Sequence, residues 1–125
     1  MSVTTRLVTV AEPVFATITR YVTASPSRPP VTCTLLTAIV STGAASQADV
    51  DRAVNTIWPV NQQLALLQCT AAYPAPAELL NLRVITTYRE RYPELVIGLS
   101  SHYSWISDVI AAYVLGARIF EKHFT

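Results

Sequence analysis

Short runs of apolar and β-branched residues alternate with helical patterns along most of this chain, and this alternation limits the folds open to it. Four runs are typical of buried strands. The segments between them carry apolar residues at helical spacing. The predicted strands are Val31–Val40, Leu64–Cys69, Leu95–Leu99 and Arg118–Phe124, and the predicted helices are Ser46–Ile57, Glu78–Tyr92 and Ser104–Leu115.

Strands that are apolar on both faces and alternate with helices predict a parallel sheet with right-handed crossovers. The predicted class is therefore α/β, in the order βαβαβαβ over residues 31–125. Residues 1–30 do not follow this alternation of strands and helices well and are interpreted as a diverged N-terminal segment. Within them we expect a short strand at Arg6–Val10, a short helix at Val14–Thr23 and an exposed linker at Ser25–Pro30.

Composition narrows the function classes. Of the 125 residues, 51% are hydrophobic and 14% are charged, which excludes intrinsic disorder. A net charge of +1 gives no reason to expect nucleic acid or an anionic membrane as a partner. The charge-free stretches are interrupted by proline and polar residues, so no membrane span is predicted. Cys33 and Cys69 are interpreted as buried free thiols of a reducing compartment, and we expect a cytoplasmic protein. A transit peptide within the first 23 residues is the alternative.

Polar residues follow the predicted strands at the point where each strand ends. Because the carboxyl ends of parallel strands share one edge of the sheet, where ligands bind, we expect these side chains to lie close together. The set comprises Ser41, Thr42 and Gly43 after the first strand, Gln68, Cys69, Thr70 and Tyr73 after the second, Ser100, Ser101 and His102 after the third, and Glu121 and His123 on the fourth.

Both histidines of the chain fall at the ends of neighbouring strands. His102 and His123 can therefore share one divalent cation, and imidazole suits Zn, Mn, Fe, Co or Ni better than Ca or Mg. The alternative is a pair of hydrogen-bonded histidines with no metal. Strand alternation places Glu121 on the same side as His123, and a carboxylate buried there is costly unless it is paired or catalytic.

Several of these residues lie in ordered motifs that resemble one known family. Five motifs of this sequence occur in the same order and at the same spacing in the sialic acid synthase (NeuB-type) family, and they resemble its animal-type branch most. The shortest of the five is Ser41–Gly43. The resemblance covers about residues 40–125. The longer motifs are Leu66–Pro74, Asn81–Ile85, Ile97–His102 and Leu115–Thr125.

The resemblance implies a (β/α)8 barrel, often called a TIM barrel, of which this chain corresponds to strands five to eight. Members of the family condense phosphoenolpyruvate with N-acetylmannosamine, or its 6-phosphate, to a nonulosonic acid and release phosphate with a divalent metal, Mn or Mg. By their positions in these motifs, the resemblance implies that His102 and His123 are metal ligands and that Glu121 is catalytic. It implies substrate-binding roles for Ser41, Tyr73 and Ser100.

The chain also departs from the family pattern. Ala71 stands where the family often has Asn or Ser, and Ser101 where it has Asp or Gly. The lysines that neutralise phosphoenolpyruvate belong to strands one to four, and the single lysine, Lys122, alternates away from His123. A half barrel leaves two open sheet edges, so a second copy or a partner is expected to supply the missing half. The alternative is a truncated, non-catalytic remnant or interaction protein of the family.

Overall fold

A computed structural model describes residues 2–11, 14–22 and 35–123 of the chain. These residues form strands, three α-helices and a short 3-10 helix at Ala77–Leu79. In chain order the elements are β1 Ser2–Ala11, β2 Val14–Val22, β3 Leu35–Ser41, α1 Gln47–Ile57, β4 Leu64–Cys69, α2 Val84–Arg91, β5 Val96–Ser101, α3 Ser107–Val114 and β6 Ile119–Lys122.

The strands form one sheet in the order β1-β2-β3-β4-β5-β6. Strands β3 to β6 run parallel and alternate with the helices, which confirms the predicted α/β class and the half-barrel arrangement. The register aligns the strand ends, with Cys69 opposite Ser100 and Ser101 opposite Lys122. The division of the chain at residue 30 stays a prediction.

The N-terminal part of the sheet differs from the sequence prediction. The expected helix at Val14–Thr23 is wrong, because β2 occupies Val14–Val22 and pairs antiparallel with both β1 and β3. β-Branched and aromatic residues favour a strand wherever a partner strand is available. The edge of β3 that a half barrel would leave open is therefore paired with β2. The expected strand at Arg6–Val10 lies within β1, and the expected linker lies outside the described residues.

The predicted ends of the other elements need smaller corrections. The helix expected over Glu78–Tyr92 is split, because Asn81 adopts a left-handed φ of 48° and the α-helix begins only at Val84. The helix expected from Ser104 begins at Ser107. Residues 31–34 of the first predicted strand and Phe124 of the last lie outside the described ranges.

Two predicted helix boundaries are explained by local hydrogen bonds. Ser46 and Asp49 form the expected capping box at the start of α1, with Ser46 N–H donating to Asp49 at 3.0 Å and Asp49 N–H donating to Ser46 Oγ at 3.3 Å. Gly116 ends α3 with a left-handed φ of 105°. The Ala117 N–H then donates to the Ala112 carbonyl at 2.9 Å, which closes the last turn.

The hydrophobic core lies between the parallel strands and the helices. Its most buried side chains come from the middle of β3 and β4 and from the inner faces of α1 and α2. Val50, Ala53 and Val54 on the apolar face predicted for α1 are buried, and Ile85 of α2 and Tyr92, which follows α2, point inward as predicted. The largest fully buried side chains are Val40, Val50, Leu66, Leu67 and Ile85.

Two further expectations concern the compartment. Cys69 is a free thiol, but it is partly exposed rather than buried, and Cys33 lies outside the described residues. No helix in the described ranges is long and apolar enough to cross a membrane.

Candidate functional site

The parallel register brings the ends of β5 and β6 together with the loop that follows β4. His102 follows β5 directly, and His123 follows β6. The loop after β4 is tied to the end of β5 because the Ala75 N–H donates to the His102 carbonyl at 2.9 Å. Tyr73 of this loop therefore stands beside both imidazoles, with its ring centroid 5.7 Å from that of His102 and 4.9 Å from that of His123.

The two histidines form a pair. Their ring centroids are 5.3 Å apart. His102 Nδ1 lies 2.9 Å from the carbonyl oxygen of Thr70. Because a carbonyl only accepts, Nδ1 carries the proton in this bond, and the neutral ring presents Nε2 as a lone-pair donor. A hydrogen bond from one ring nitrogen to a carbonyl is the usual way in which a metal-binding histidine is oriented.

This arrangement fits a divalent metal held by two imidazoles. Bonds of about 2.1 Å from each ring nitrogen can reach one ion between rings at this separation. Within the described ranges, no group of three or more His, Cys, Asp or Glu residues is placed to hold a metal. The remaining coordination positions of an ion bound to His102 and His123 would therefore fall to water or substrate.

A carboxylate lies beside the pair. Ser100 Oγ donates a hydrogen bond of 3.0 Å to Glu121 Oε1 across the β5–β6 register. Ser100 is buried, whereas Glu121 is exposed. Both residues line a cavity of about 120 Å³ that also includes His102 and His123. The expectation that Glu121 shares a side with His123 agrees with this arrangement.

The other two predicted substrate-binding residues are placed differently. Tyr73 is 68% exposed and lines a second cavity of about 380 Å³ together with both histidines. Ser41 lies at the end of β3, two strands away from β5, and lines neither of these two cavities. The structure therefore brings together Tyr73, Ser100, His102, Glu121 and His123, and leaves Ser41 apart.

A third cavity lies between the ends of β3 and β4. Its volume is about 440 Å³, and its lining includes Ala71, where the resemblance leads us to expect Asn or Ser. Tyr88 closes one side of it. Burial raises the pKa of the Tyr88 hydroxyl, and a hydrogen bond with Thr42 opposes that rise.

Sequence reasoning missed the part played by Lys122. Alternation placed it on the opposite side of the strand from His123, yet its side chain lines the same cavity of about 380 Å³. Its ammonium donates to Ser101 Oγ at 3.0 Å. The strand register could have indicated this contact, because Lys122 pairs with Ser101 across β5 and β6. The four-carbon side chain of a lysine is also long enough to reach around the end of a strand.

Comparison with known proteins identifies the family. The model of the NeuB family matches residues 31–125, so the chain belongs to the NeuB family. It is 38% identical over 87 residues to N-acetylneuraminate-9-phosphate synthase of Homo sapiens, a match that covers 70% of this chain and 24% of that protein. It is 37% identical over 90 residues to N,N'-diacetyllegionaminic acid synthase of Campylobacter jejuni, covering 70% of this chain and 27% of that one.

Solved structures agree with the sequence relatives. The spore coat polysaccharide biosynthesis protein SpsE of Bacillus subtilis superposes with a TM-score of 0.68 at 45% identity, over 70% of this chain and 25% of that one. The N-acetylneuraminic acid synthetase of Leptospira borgpetersenii superposes with a TM-score of 0.69 at 36% identity, over 72% of this chain and 31% of that one. The chain spans about a quarter of the length of the curated relatives it matches.

Proposed function

We propose that this chain acts in nonulosonic acid synthesis, condensing phosphoenolpyruvate with N-acetylmannosamine or its 6-phosphate and releasing phosphate. One observation carries the proposal: the paired rings of His102 and His123 at the ends of β5 and β6, with His102 oriented by the Thr70 carbonyl. Relatives named as N-acetylneuraminate-9-phosphate, legionaminic acid and pseudaminic acid synthases support this reaction class. A cytoplasmic site of action is part of the proposal.

His102 and His123 would hold the divalent metal, Mn or Mg. The metal, when bound, supplies a Lewis acid for the sugar aldehyde. The hydrogen bond from His102 to Thr70 keeps Nε2 directed outward before the ion arrives, which lowers the cost of forming the site. Tyr73 stands against both rings and limits the space in which a substrate can lie beside them.

Glu121 is the proposed catalytic residue, and Ser100 is the proposed contact to phosphoenolpyruvate. The Ser100 hydroxyl donates to Glu121 at 3.0 Å, which orients the carboxylate across the strand ends. From this position Glu121 can accept a proton released at the reacting carbons. The same hydroxyl can turn to donate to a substrate oxyanion. Ser41, on the more distant β3, would contact the substrate from the other side.

The chain matches about a quarter of the length of its relatives. We propose that a second copy of the chain or a partner contributes further residues to the site. Light scattering on the full chain tests this part, and we expect a species larger than one chain. A monodisperse, folded monomer would contradict assembly through a second copy.

The test of the reaction is phosphate release from phosphoenolpyruvate by the full 125-residue chain. Mn or Mg and each acceptor sugar are supplied, with a metal-free control and a sugar-free control. We expect release that requires both the metal and a sugar, and a fall of at least a hundredfold in Glu121→Gln. The matched control is Glu90→Gln, which removes the same charge from the exposed face of α2.

A non-catalytic role within the family is the second candidate. It is favoured by Ala71, whose methyl group lines the cavity at the ends of β3 and β4 where a hydrogen-bonding side chain would contact substrate. Circular dichroism shows whether the chain is folded. Absence of phosphate release from folded protein, with every metal and sugar tested, would support this candidate and contradict the first.

A further inference from the structure

The side chain of Lys122 is fixed at the wall of the cavity of about 380 Å³. Its ammonium donates to Ser101 Oγ at 3.0 Å and also to the carbonyl oxygen of Tyr103. An ammonium has three N–H donors. Two of them are used by these protein acceptors, which leaves the third for a ligand in the cavity that Lys122 lines. An ordered lysine loses little side-chain entropy when it binds such a ligand.

The hydroxyl of Ser101 has no freedom to move. It donates to Asp108 Oδ2 at 2.5 Å and accepts from the Tyr103 N–H at 3.3 Å and from Lys122. One donor and two acceptor positions are all that a hydroxyl has. Ser101 is itself 3% exposed. Lys122 therefore donates to a serine hydroxyl that is itself oriented by its hydrogen bond to Asp108.

Asp108 is the buried group that sets this orientation. It is 2% exposed and lies in the first turn of α3. Its Oδ1 accepts from the Val109 N–H at 2.8 Å, and its Oδ2 accepts from Ser101. A buried carboxylate is costly unless a positive charge or hydrogen bonds compensate it. Lys122, one hydroxyl away, is the nearest compensating charge in this network.

The lining of the same cavity is suited to an anion. Its polar side chains are Tyr73, Ser101, Tyr103, Ser104, Lys122 and the two histidines, and no carboxylate is part of the lining described by the structure. Glu121 lines the smaller neighbouring cavity, which shares Lys122 and both histidines with this one, and it accepts a hydrogen bond from Ser100. The ammonium of Lys122, with one N–H free of protein acceptors, attracts an oxyanion into a cavity whose lining carries no carboxylate.

We propose that Lys122 binds a small oxyanion in this cavity, and that Asp108 is its positioning residue, acting through Ser101. The recognised group is a phosphate or a carboxylate. The inference rests on the proposed function only for the identity of the natural ligand, phosphoenolpyruvate, which carries both groups. The anion binds beside the histidines, in the cavity that Lys122 lines and Glu121 does not.

Isothermal titration of the full chain without metal tests the inference. Inorganic phosphate and phosphoenolpyruvate are titrated separately into the wild type, Lys122→Met and Lys122→Arg. We expect Lys122→Met to weaken phosphoenolpyruvate binding about tenfold and Lys122→Arg to retain most of the affinity. Arg52→Met is the matched control, because it removes the same charge from exposed α1 and should leave both affinities within about twofold.

Asp108→Asn tests the positioning role, with Ser101→Ala as the second variant if the first does not fold. We expect Asp108→Asn to weaken phosphoenolpyruvate binding about fivefold in the wild-type background and to have no effect in the Lys122→Met background. A merely structural role for Asp108 would weaken binding equally in both backgrounds. That result would overturn the positioning role.

The two ligands separate the two anionic groups. An equal loss for phosphate and phosphoenolpyruvate in Lys122→Met assigns Lys122 to the phosphate, and a loss for phosphoenolpyruvate alone assigns it to the carboxylate. Unchanged affinity for both ligands in Lys122→Met, or no binding by the folded wild type, would overturn the inference. Failure of the proposed function is distinguishable, because the chain would then bind the oxyanion through Lys122 but release no phosphate with metal and sugar present.

Discussion

The helices of this chain cover the sheet unequally. Helices α1 and α2 bury their inner faces in the hydrophobic core, with Val50, Ile85 and Tyr88 nearly inaccessible. Helix α3 buries only Asp108 and Ala112, and it exposes large apolar side chains around the rest of its surface. The exposed set around α3 comprises Trp105, Ile106, Ile110, Tyr113 and Val114.

The hydrogen bonds between neighbouring helices are unequal as well. Asp51 of α1 contacts the end of α2. Arg91, the last residue of α2, donates to the Asp51 carboxylate at 2.6 and 2.7 Å, and the hydroxyl of Tyr92, which follows it, donates to the same carboxylate. Helix α3 is joined to α2 by a hydrogen bond of 3.3 Å from Arg89 to the Leu115 carbonyl. The polar strand ends of β5 and β6 therefore sit at the boundary between a well-packed region and an open one.

This comparison predicts that large losses of stability are confined to the packed region. Ile85→Ala should lower the free energy of unfolding by about 3 kcal/mol, because it empties a fully buried position between α2 and the sheet. Urea denaturation of the full chain measures the change. A loss below about 1 kcal/mol would contradict the assignment of this region as the main core.

A substitution at Gly98 tests the close packing of β5 against β6. A Cβ atom there would lie 2.4 Å from the Ile119 carbonyl oxygen, and this backbone contact can be relieved only by moving β6. Gly98→Ala should therefore cost about 2 kcal/mol, and it should speed hydrogen exchange in β6.

Gly43→Ala is the matched control for Gly98→Ala. Its added Cβ would make ordinary contacts, the nearest at 3.4 Å from Cys69 Sγ. The change in stability should stay within about 0.5 kcal/mol. Equal losses at the two positions would mean that the close approach of β6 to Gly98 is not the cause.

The contact between α1 and α2 predicts a pH dependence. The hydrogen bonds from Arg91, followed by the one from Tyr92, lower the pKa of Asp51 to about 2 from an ordinary 3.8. Burial, and then the hydrogen bond to Asp51, raises the pKa of Tyr92 to about 12. Because the pKa of Asp51 is depressed in the folded state, its contribution is complete above about pH 4 and is lost as the pH falls toward 2.

Asp51→Asn should lower the free energy of unfolding by about 1 kcal/mol at neutral pH, a modest value because solvent reaches both partners. The difference between variant and wild type should shrink as the pH is lowered from 4 to 2, as followed by urea denaturation. A difference that does not change with pH over this range would contradict an ionised Asp51 as its source.

The smallest effect is expected on α3. Ile110 is 59% exposed, so Ile110→Ser should change the free energy of unfolding by less than about 0.5 kcal/mol. A loss similar to that of Ile85→Ala would show that this face of α3 is packed in solution, and the contrast between the two regions would then fail.

Local chemistry made much of the fold predictable. The Ser46–Asp49 capping box and Gly116 fixed two helix ends, and the apolar runs located β4 and β5, because these signals need no distant partner. The segment Val14–Val22 was mispredicted as a helix because its conformation depends on pairing with β1 and β3. The left-handed Asn81 likewise gave no recognisable break in the helical pattern.

The candidate site was predictable to the extent that strand ends converge. His102, His123, Glu121 and Ser100 meet because the parallel register aligns β5 with β6. The role of Lys122 was not predictable from alternation, since the direction of a long side chain depends on the acceptors it finds. Asp108 was missed for the same reason, because its partner Ser101 lies in a different element.

Binding of Mn²⁺ to the full chain, followed by the electron paramagnetic resonance of free Mn²⁺, is the most direct test of the site at the ends of β5 and β6. We predict one site per chain in the wild type and at least tenfold weaker binding in both His102→Ala and His123→Ala. Cys69→Ser, which changes a possible ligand at the end of β4, should bind as the wild type does. Equal Mn²⁺ affinity in the wild type and both histidine variants would contradict the paired histidines as a metal site.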